Sequence, residues 1–283
     1  MGEDDQVKGG ESLRAVRFLS HPSLGRKDPV LRLISERIPT MKSNLIISQE
    51  AESTQDLVKE LARAGEPEGV AIMAVNQTQG RGSSQRSWIS PPGKNLALSL
   101  LLRPSLPPSE VVLLGLAASI AVAQTIEALG IGQVKLKWPN DVLVRDRKIA
   151  GILSEACMGA HGLEYVIIGV GINVNTAMSD FPSDLTDKVT SLLICTGRNW
   201  SIRETAVAFL EKIEVLYERA SNEGCGFITG QWQKRWAHRG VMMNRNGIDG
   251  IAEGIAPDGA LLLRTESGRL ERIISGRVEP MEA

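Results

Sequence analysis

Cysteine and histidine are scarce, with three of each in 283 residues. Cys157, Cys195 and Cys225 lie far apart and form no C-x-x-C pair. That spacing argues against a disulfide framework or a thiolate zinc site and fits a reducing, cytoplasmic setting. His21, His161 and His238 are also isolated, which favours surface or structural roles over metal ligation or base catalysis. The chain has no excess of either charge. Its net charge is −1 and its pI about 6.4, so it has no general attraction to nucleic acid or acidic lipid. No secretory leader is visible, because residues 1–10 are polar and acidic. The longest apolar stretch, residues 111–123, falls short of the ~20 residues that span a bilayer. Gln124 and Glu127 follow it, as suits a buried core helix. No membrane partner is expected.

The length and the 42% apolar share allow one large domain and a small one. Residues 1–43 read as a partly disordered arm, charged at first and then broken by His21-Pro22 and Asp28-Pro29. The compact chain is expected from Leu45-Ile46-Ile47, the first strand. Residues 54–64 read as a helix, with Ser53 and Asp56 at capping-box spacing and Gly65 as the stop. Residues 70–75 and 95–102 are apolar runs that read as strands, and Ser109 is placed to cap the long apolar helix ending near Gly130. Residues 134–137, 142–144 and 148–155 form a hairpin pattern around Trp138-Pro139-Asn140-Asp141 and Arg145-Asp146-Arg147. Residues 165–174 are almost continuously apolar but hold Gly169 and Gly171, as strands do where a ligand or another backbone comes close. Residues 175–185 have the composition of a surface connection; a loop that orders over a ligand is the alternative. Ser201 and Glu204 open a second long helix. Beyond residue 239, short strands alternate with Pro-Asp-Gly and Glu-Ser-Gly turns, which predicts a β-barrel of about 45 residues.

The stretch from Gln77 to Trp88 joins two of the apolar runs and carries the most chemistry. Gly80 and Gly82 bracket Arg81, Arg86 follows, and Trp88 closes it. Glycine amides can form an anion-binding nest, and arginine adds a planar fork of donors. The pattern fits a cradle for an anionic small molecule, and equally a polar hairpin connection. Ser53 and Thr54, at a helix N-terminus, are positioned both to cap and to face a ligand.

Four motifs together resemble the biotin protein ligases, over residues 45–277. They are Glu52-Ser53-Thr54; Gln77-Thr78-Gln79-Gly80-Arg81-Gly82; Lys137-Trp138-Pro139-Asn140-Asp141 with Lys148-Ile149-Ala150-Gly151; and Ile168-Gly169-Val170-Gly171-Ile172-Asn173. The resemblance implies an α+β fold. A mixed sheet flanked by helices would span residues 44–238, and a small SH3-like barrel residues 239–283. It also implies a ligase that joins biotin to ATP as biotinyl-5'-AMP and passes biotin to a lysine of a biotin carboxyl carrier protein, as on acetyl-CoA carboxylase. Mg²⁺ would arrive with ATP, without a direct protein metal site. By the family's pattern Ser53, Thr54, Gln55, Gln77, Gly80, Arg81, Gly82, Ser83, Lys148, Gly151, Leu153 and Gly169 would bind biotin. Arg86, Trp88, Lys137, Asn140 and Asn173 would serve ATP, with Trp88 stacking on adenine. Lys148, Arg81 and Asp141 would carry the chemistry, with Asp141 orienting or deprotonating the incoming amine; a turn residue capping its own backbone is the alternative for Asp141.

A lipoate-type ligase on the same fold and a non-catalytic biotin or nucleotide sensor are the competing readings. The arm lacks a clear helix-turn-helix pattern, so the catalytic-only type is expected, without nucleic acid as a partner; a homodimer is compatible with the resemblance. One departure matters. The family's loop carries arginine where Ser83 stands, and often glycine at the position of Gln85. A looser loop should let some adenylate escape. Restoring the arginine with Ser83→Arg should therefore lower nonspecific lysine biotinylation, and equal labelling by the two proteins would refute this.

Overall fold

A computed structural model describes residues 34–37, 43–83, 86–160 and 162–281. Most of the arm therefore lies outside the described residues, as do His161 and Gln85. The part of the arm that is described includes strand β1 (Ile34–Arg37), which pairs antiparallel with β2 (Asn44–Ala51). The sheet thus has an edge strand before the one expected at Leu45.

Eight strands form one mixed sheet in the order β1-β2-β3-β4-β8-β7-β6-β5. The others are β3 (Val70–Gln77), β4 (Leu96–Leu102), β5 (Val134–Lys137), β6 (Asp141–Val144), β7 (Arg147–Gly159) and β8 (Gly162–Ile172). Only β2 and β3 run parallel; helix α1 (Thr54–Arg63) makes the crossover such a pair requires. Val58, Leu61 and Ala62 of α1 bury against Ile46, Val70, Ile72 and Ile167 on one face of the sheet. Helix α2 (Val111–Ala128) covers the other face, with α4 (Ile202–Glu223) and α5 (Gly226–Gln233) packed behind it. Short helix α3 (Leu192–Thr196) precedes α4.

Helix α2 is longer than its apolar stretch suggested. With the turn before it, it runs from Pro108 to Ala128, 21 residues, and by length and composition could cross a membrane. Leu113, Ala117, Ile120, Ala121 and Ile126 are fully enclosed by protein, so its apolar surface is spent on the core.

The caps differ in part from the sequence reading. Ser53 is the N-cap residue of α1, but its side chain makes no cap bond. Ser109 sits inside a 3-10 turn, and Glu110 precedes α2 without capping it. Ser201 does cap α4, its Oγ accepting from the Glu204 amide at 3.2 Å. Arg145 and Asp146, both left-handed (φ 49° and 61°), form the two-residue turn joining β6 to β7.

The C-terminal strands are β9 (Met242–Arg245), β10 (Ile248–Ile255), β11 (Leu261–Arg264), β12 (Leu270–Ile273) and β13 (Glu279–Pro280). They pair antiparallel in the order β12-β11-β10-β9-β13, consistent with an SH3-like unit. Its core residues Met243, Ala252, Leu261 and Leu263 join the main apolar cluster. The Trp138 indole donates to the Gly259 carbonyl at 3.0 Å, and Ala237 N to Leu136 O at 2.9 Å. The first bond ties the small unit to the β5–β6 hairpin, and the second holds the chain leading into it against β5.

Phe209 of α4 is wholly buried in this core. Phe209→Ala should lower unfolding free energy by about 3–5 kcal/mol, read from urea denaturation midpoints.

Candidate active site

A cavity of about 1190 Å³ opens between the main sheet, α2 and the C-terminal strands. One end is polar and nearly closed. Gln77, at the end of β3, accepts from the Thr54 amide at 2.9 Å and from the Thr54 hydroxyl at 3.2 Å. Thr54 Oγ1 lies 2.9 Å from Ser99 Oγ, which donates to Gln55 Oε1 at 2.9 Å. The Gln55 amide donates to the Ile167 and Leu153 carbonyls at 3.3 and 3.5 Å. Ser53, Thr54 and Gln55 are all buried, and the network fixes the direction of Thr54 and Gln55 before any ligand arrives. Sequence reasoning passed over Ser99, a buried hydroxyl in the apolar run of β4. A lone polar residue inside that run was the available signal.

The floor is built from glycines. Gly151 of β7 faces Gly171 of β8 across the ladder, and Leu153 faces Gly169. A Cβ on Gly169 would stand 2.6 Å from Gln55 Oε1, and one on Gly171 2.4 Å from the Trp88 indole. Any side chain at either position would collide with what now lies there. Trp88 thus covers the Gly151–Gly171 floor, and its enclosed Nε1 has no hydrogen-bond partner among the described residues.

The other end is charged. Lys148 Nζ stands 2.6 Å from Asp141 Oδ1, a charge contact rather than an aligned hydrogen bond, and 5.7 Å from the centre of the Trp88 ring. Asp141 pairs with Gly151, and a register shift after Val142 sets Lys148 opposite Leu143. Lys137 bonds Glu279 at 2.9 Å, and Arg277 contacts the same carboxylate. Burial opposes the charge on Glu279, but hydrogen bonds from Arg277 and Lys137 prevail and hold its pKa below the ordinary range. Burial, then the Lys137 charge, lowers the pKa of His238.

Arg81, Arg86, Asn140 and Asn173 line the cavity, but their side chains are engaged by protein partners. Arg81 pairs with Asp56 at 2.8 Å and Glu155 at 3.3 Å, neither of which lines the cavity. Arg86 folds back on the Ser83 carbonyl and hydroxyl, both at 3.3 Å, and Gly82 N donates to Arg86 O at 2.7 Å. A Cβ on Gly80 would meet the Trp88 carbonyl at 2.5 Å. Asn140 donates to the Ile152 carbonyl at 2.8 Å. Asn173 is 4% exposed; its Oδ1 accepts from Asn95 at 3.4 Å and its Nδ2 donates to Thr190 O at 3.0 Å. Among the described residues no group of three or more His, Cys, Asp or Glu could hold a metal.

The segment after β8 is more than a surface connection. Phe181, Pro182 and Leu185 line the cavity, and Lys148 N donates to Lys188 O at 2.8 Å. Asp180 anchors the segment, pairing with Lys94 at 2.6 Å and accepting from the Ala177 amide at 2.8 Å.

The model of the biotin/lipoate A/B protein ligase family matches residues 47–173, and that of the biotin protein ligase C-terminal domain residues 241–279. Fold and pocket therefore define a ligase of the biotin/lipoate class. The bifunctional ligase/repressor BirA of Bacillus subtilis is 36% identical over 243 residues, covering 84% of this chain and 74% of that one. The biotin–[acetyl-CoA-carboxylase] ligase of Paracoccus denitrificans is 33% identical, covering 70% and 85%. The Aquifex aeolicus biotin protein ligase, solved with biotin and ATP, superposes with a TM-score of 0.73 at 29% identity, covering 86% and 100%. The chain belongs to the biotin protein ligase family.

Hydrogen bonds from Lys94 and Ala177 hold the Asp180 pKa below its ordinary value. The anchor is therefore complete above the usual aspartate range, ~4, and is lost as pH falls through the depressed value. Protection of the Ala177 amide, its exchange relative to an unstructured amide at the same pH, should be high at neutral pH and fall in acid, and Asp180→Asn should speed exchange at neutral pH. Exchange that is slow and unaltered by the substitution would refute the anchor.

Proposed function

We propose that the chain joins biotin to MgATP as biotinyl-5'-AMP and transfers the biotinyl group to a lysine of a biotin carboxyl carrier domain. The observation that carries this reading is one continuous pocket. A preset polar end meets a glycine floor, which leads to a lysine–aspartate pair. The polar end suits a neutral ureido ring, because its donors and acceptors are already fixed. The floor suits a flat apolar body and its chain. Lys148 suits the place where a carboxylate meets a phosphate.

In the first step a biotin carboxylate oxygen forms a bond to the α-phosphorus, and the bond to pyrophosphate breaks. Lys148 leaves Asp141 to neutralise the charge that gathers on the reacting oxygens. In the second step the acceptor amine attacks the acyl carbon and AMP leaves with the bonding pair. Asp141, released by Lys148, accepts the amine hydrogen bond, orients the nucleophile and takes the proton it sheds as the amide forms. Mg²⁺ enters as part of the nucleotide substrate, held by its phosphates. Lys137 and Arg277, at the charged end, face the departing phosphates.

Biotin-dependent exchange of label between pyrophosphate and ATP tests the reading. It should occur with biotin and not with lipoate, and Lys148→Ala should slow it by roughly 10²–10³-fold. Exchange with lipoate, or full activity in the variant, would overturn the assignment.

A further inference from the structure

Arg81 sits in the glycine-rich segment where an anion contact was expected and lines the cavity, yet its guanidinium is paired with two carboxylates that do not line it. Its NH2 group stands 2.8 Å from Asp56 and 3.3 Å from Glu155. These three residues come from three elements, and each element carries part of the pocket. Asp56 lies in the first turn of α1, directly after Thr54 and Gln55. Glu155 lies on β7, two residues beyond Leu153, whose carbonyl receives the Gln55 amide. Arg81 follows Gly80 and lies four residues beyond Gln77, the acceptor for Thr54. Local bonds shape the segment itself, with Gly82 N to Arg86 O at 2.7 Å and Trp88 N to Gly80 O at 2.8 Å. They do not fasten it to α1 or β7.

We infer that Asp56 and Glu155 are positioning residues, and that with Arg81 they form a brace outside the pocket that locks the Gly80–Gly82 backbone against α1 and β7. On this view the side chain of Arg81 is a strut. Its backbone and its neighbours hold the ligand. The inference rests on the adenylate-forming reading above. The brace also has a particular job in this chain, because Ser83 bonds only locally with Arg86 and supplies no charge of its own.

The strut has an opposite that can be measured. If the Arg81 guanidinium binds the ligand anion directly, Asp56 and Glu155 compete for it, and removing them must tighten binding. If they brace the backbone, removing them must loosen it. The test uses the full chain with Asp56→Asn, Glu155→Gln and the double variant. The expected result is that biotinyl-AMP, made in place from biotin and ATP, dissociates about fivefold faster from the double variant. KM for biotin should rise more than kcat falls, and Asp56→Glu should restore much of the loss. The contacts are half-exposed, so the difference from wild type should shrink at high salt. Unchanged or slower dissociation in the double variant would overturn the brace. A wild-type protein without biotin-dependent exchange would instead refute the reading of function. Amide exchange at Gly82 and Trp88 needs no substrate and tests the brace separately. It should quicken in the double variant, and unchanged rates there would also overturn the proposal.

Discussion

Lys148 and Asp141 meet at 2.6 Å in a site where both side chains are mostly covered. A half-buried ammonium is tolerated only with a partner, and here the partner is fixed by strand pairing. Asp141 opens β6, Gly151 faces it from β7, and the register shift brings Lys148 back over the same spot. Gly151 is part of the condition. A Cβ there would stand 3.3 Å from Lys148 Nζ and from the Trp88 ring. The lysine, the aspartate and the indole thus share one space that a side chain at Gly151 would crowd.

The β5–β6–β7 meander is correspondingly well supported. Val134, Leu136, Val142, Val144, Ile149 and Ala150 are buried beneath it. Helix α2 lies across the strands as an apolar slab, and the segment ending at Lys188 and Val189 bonds the backbone of Lys148 from the side. A charged contact in the pocket is held by an apolar layer below and backbone ladders on either side.

The hairpin, the slab helix and the glycine-bearing strand β8 were legible in the sequence, because each rests on local periodicity and turn chemistry. What failed to show depended on partners distant in the chain. Asp56 has the spacing of a capping residue, but Arg81 engages it from another element. Asn173 reads as a ligand contact, yet Asn95 and Thr190 take up its amide. Residues 175–185 look like plain surface until Lys94 meets Asp180 and Phe181 turns to the cavity. The placement of candidate residues was legible where a motif fixes the backbone, and harder to read where a side chain had a choice of partner.

Trp138 shows another side of this arrangement. It sits in the motif that leads to Asp141, but its indole hydrogen-bonds the Gly259 carbonyl in the turn between β10 and β11. The two-residue separation between Trp138 and Asn140 thus spans the joint between two sheets. Cutting the chain after residue 238 would strand a buried N–H in the hairpin that carries Asp141, a cost that falls on the hairpin and not on the piece removed. For this enzyme the small sheet is foundation rather than appendage, and the two parts are bound to change together.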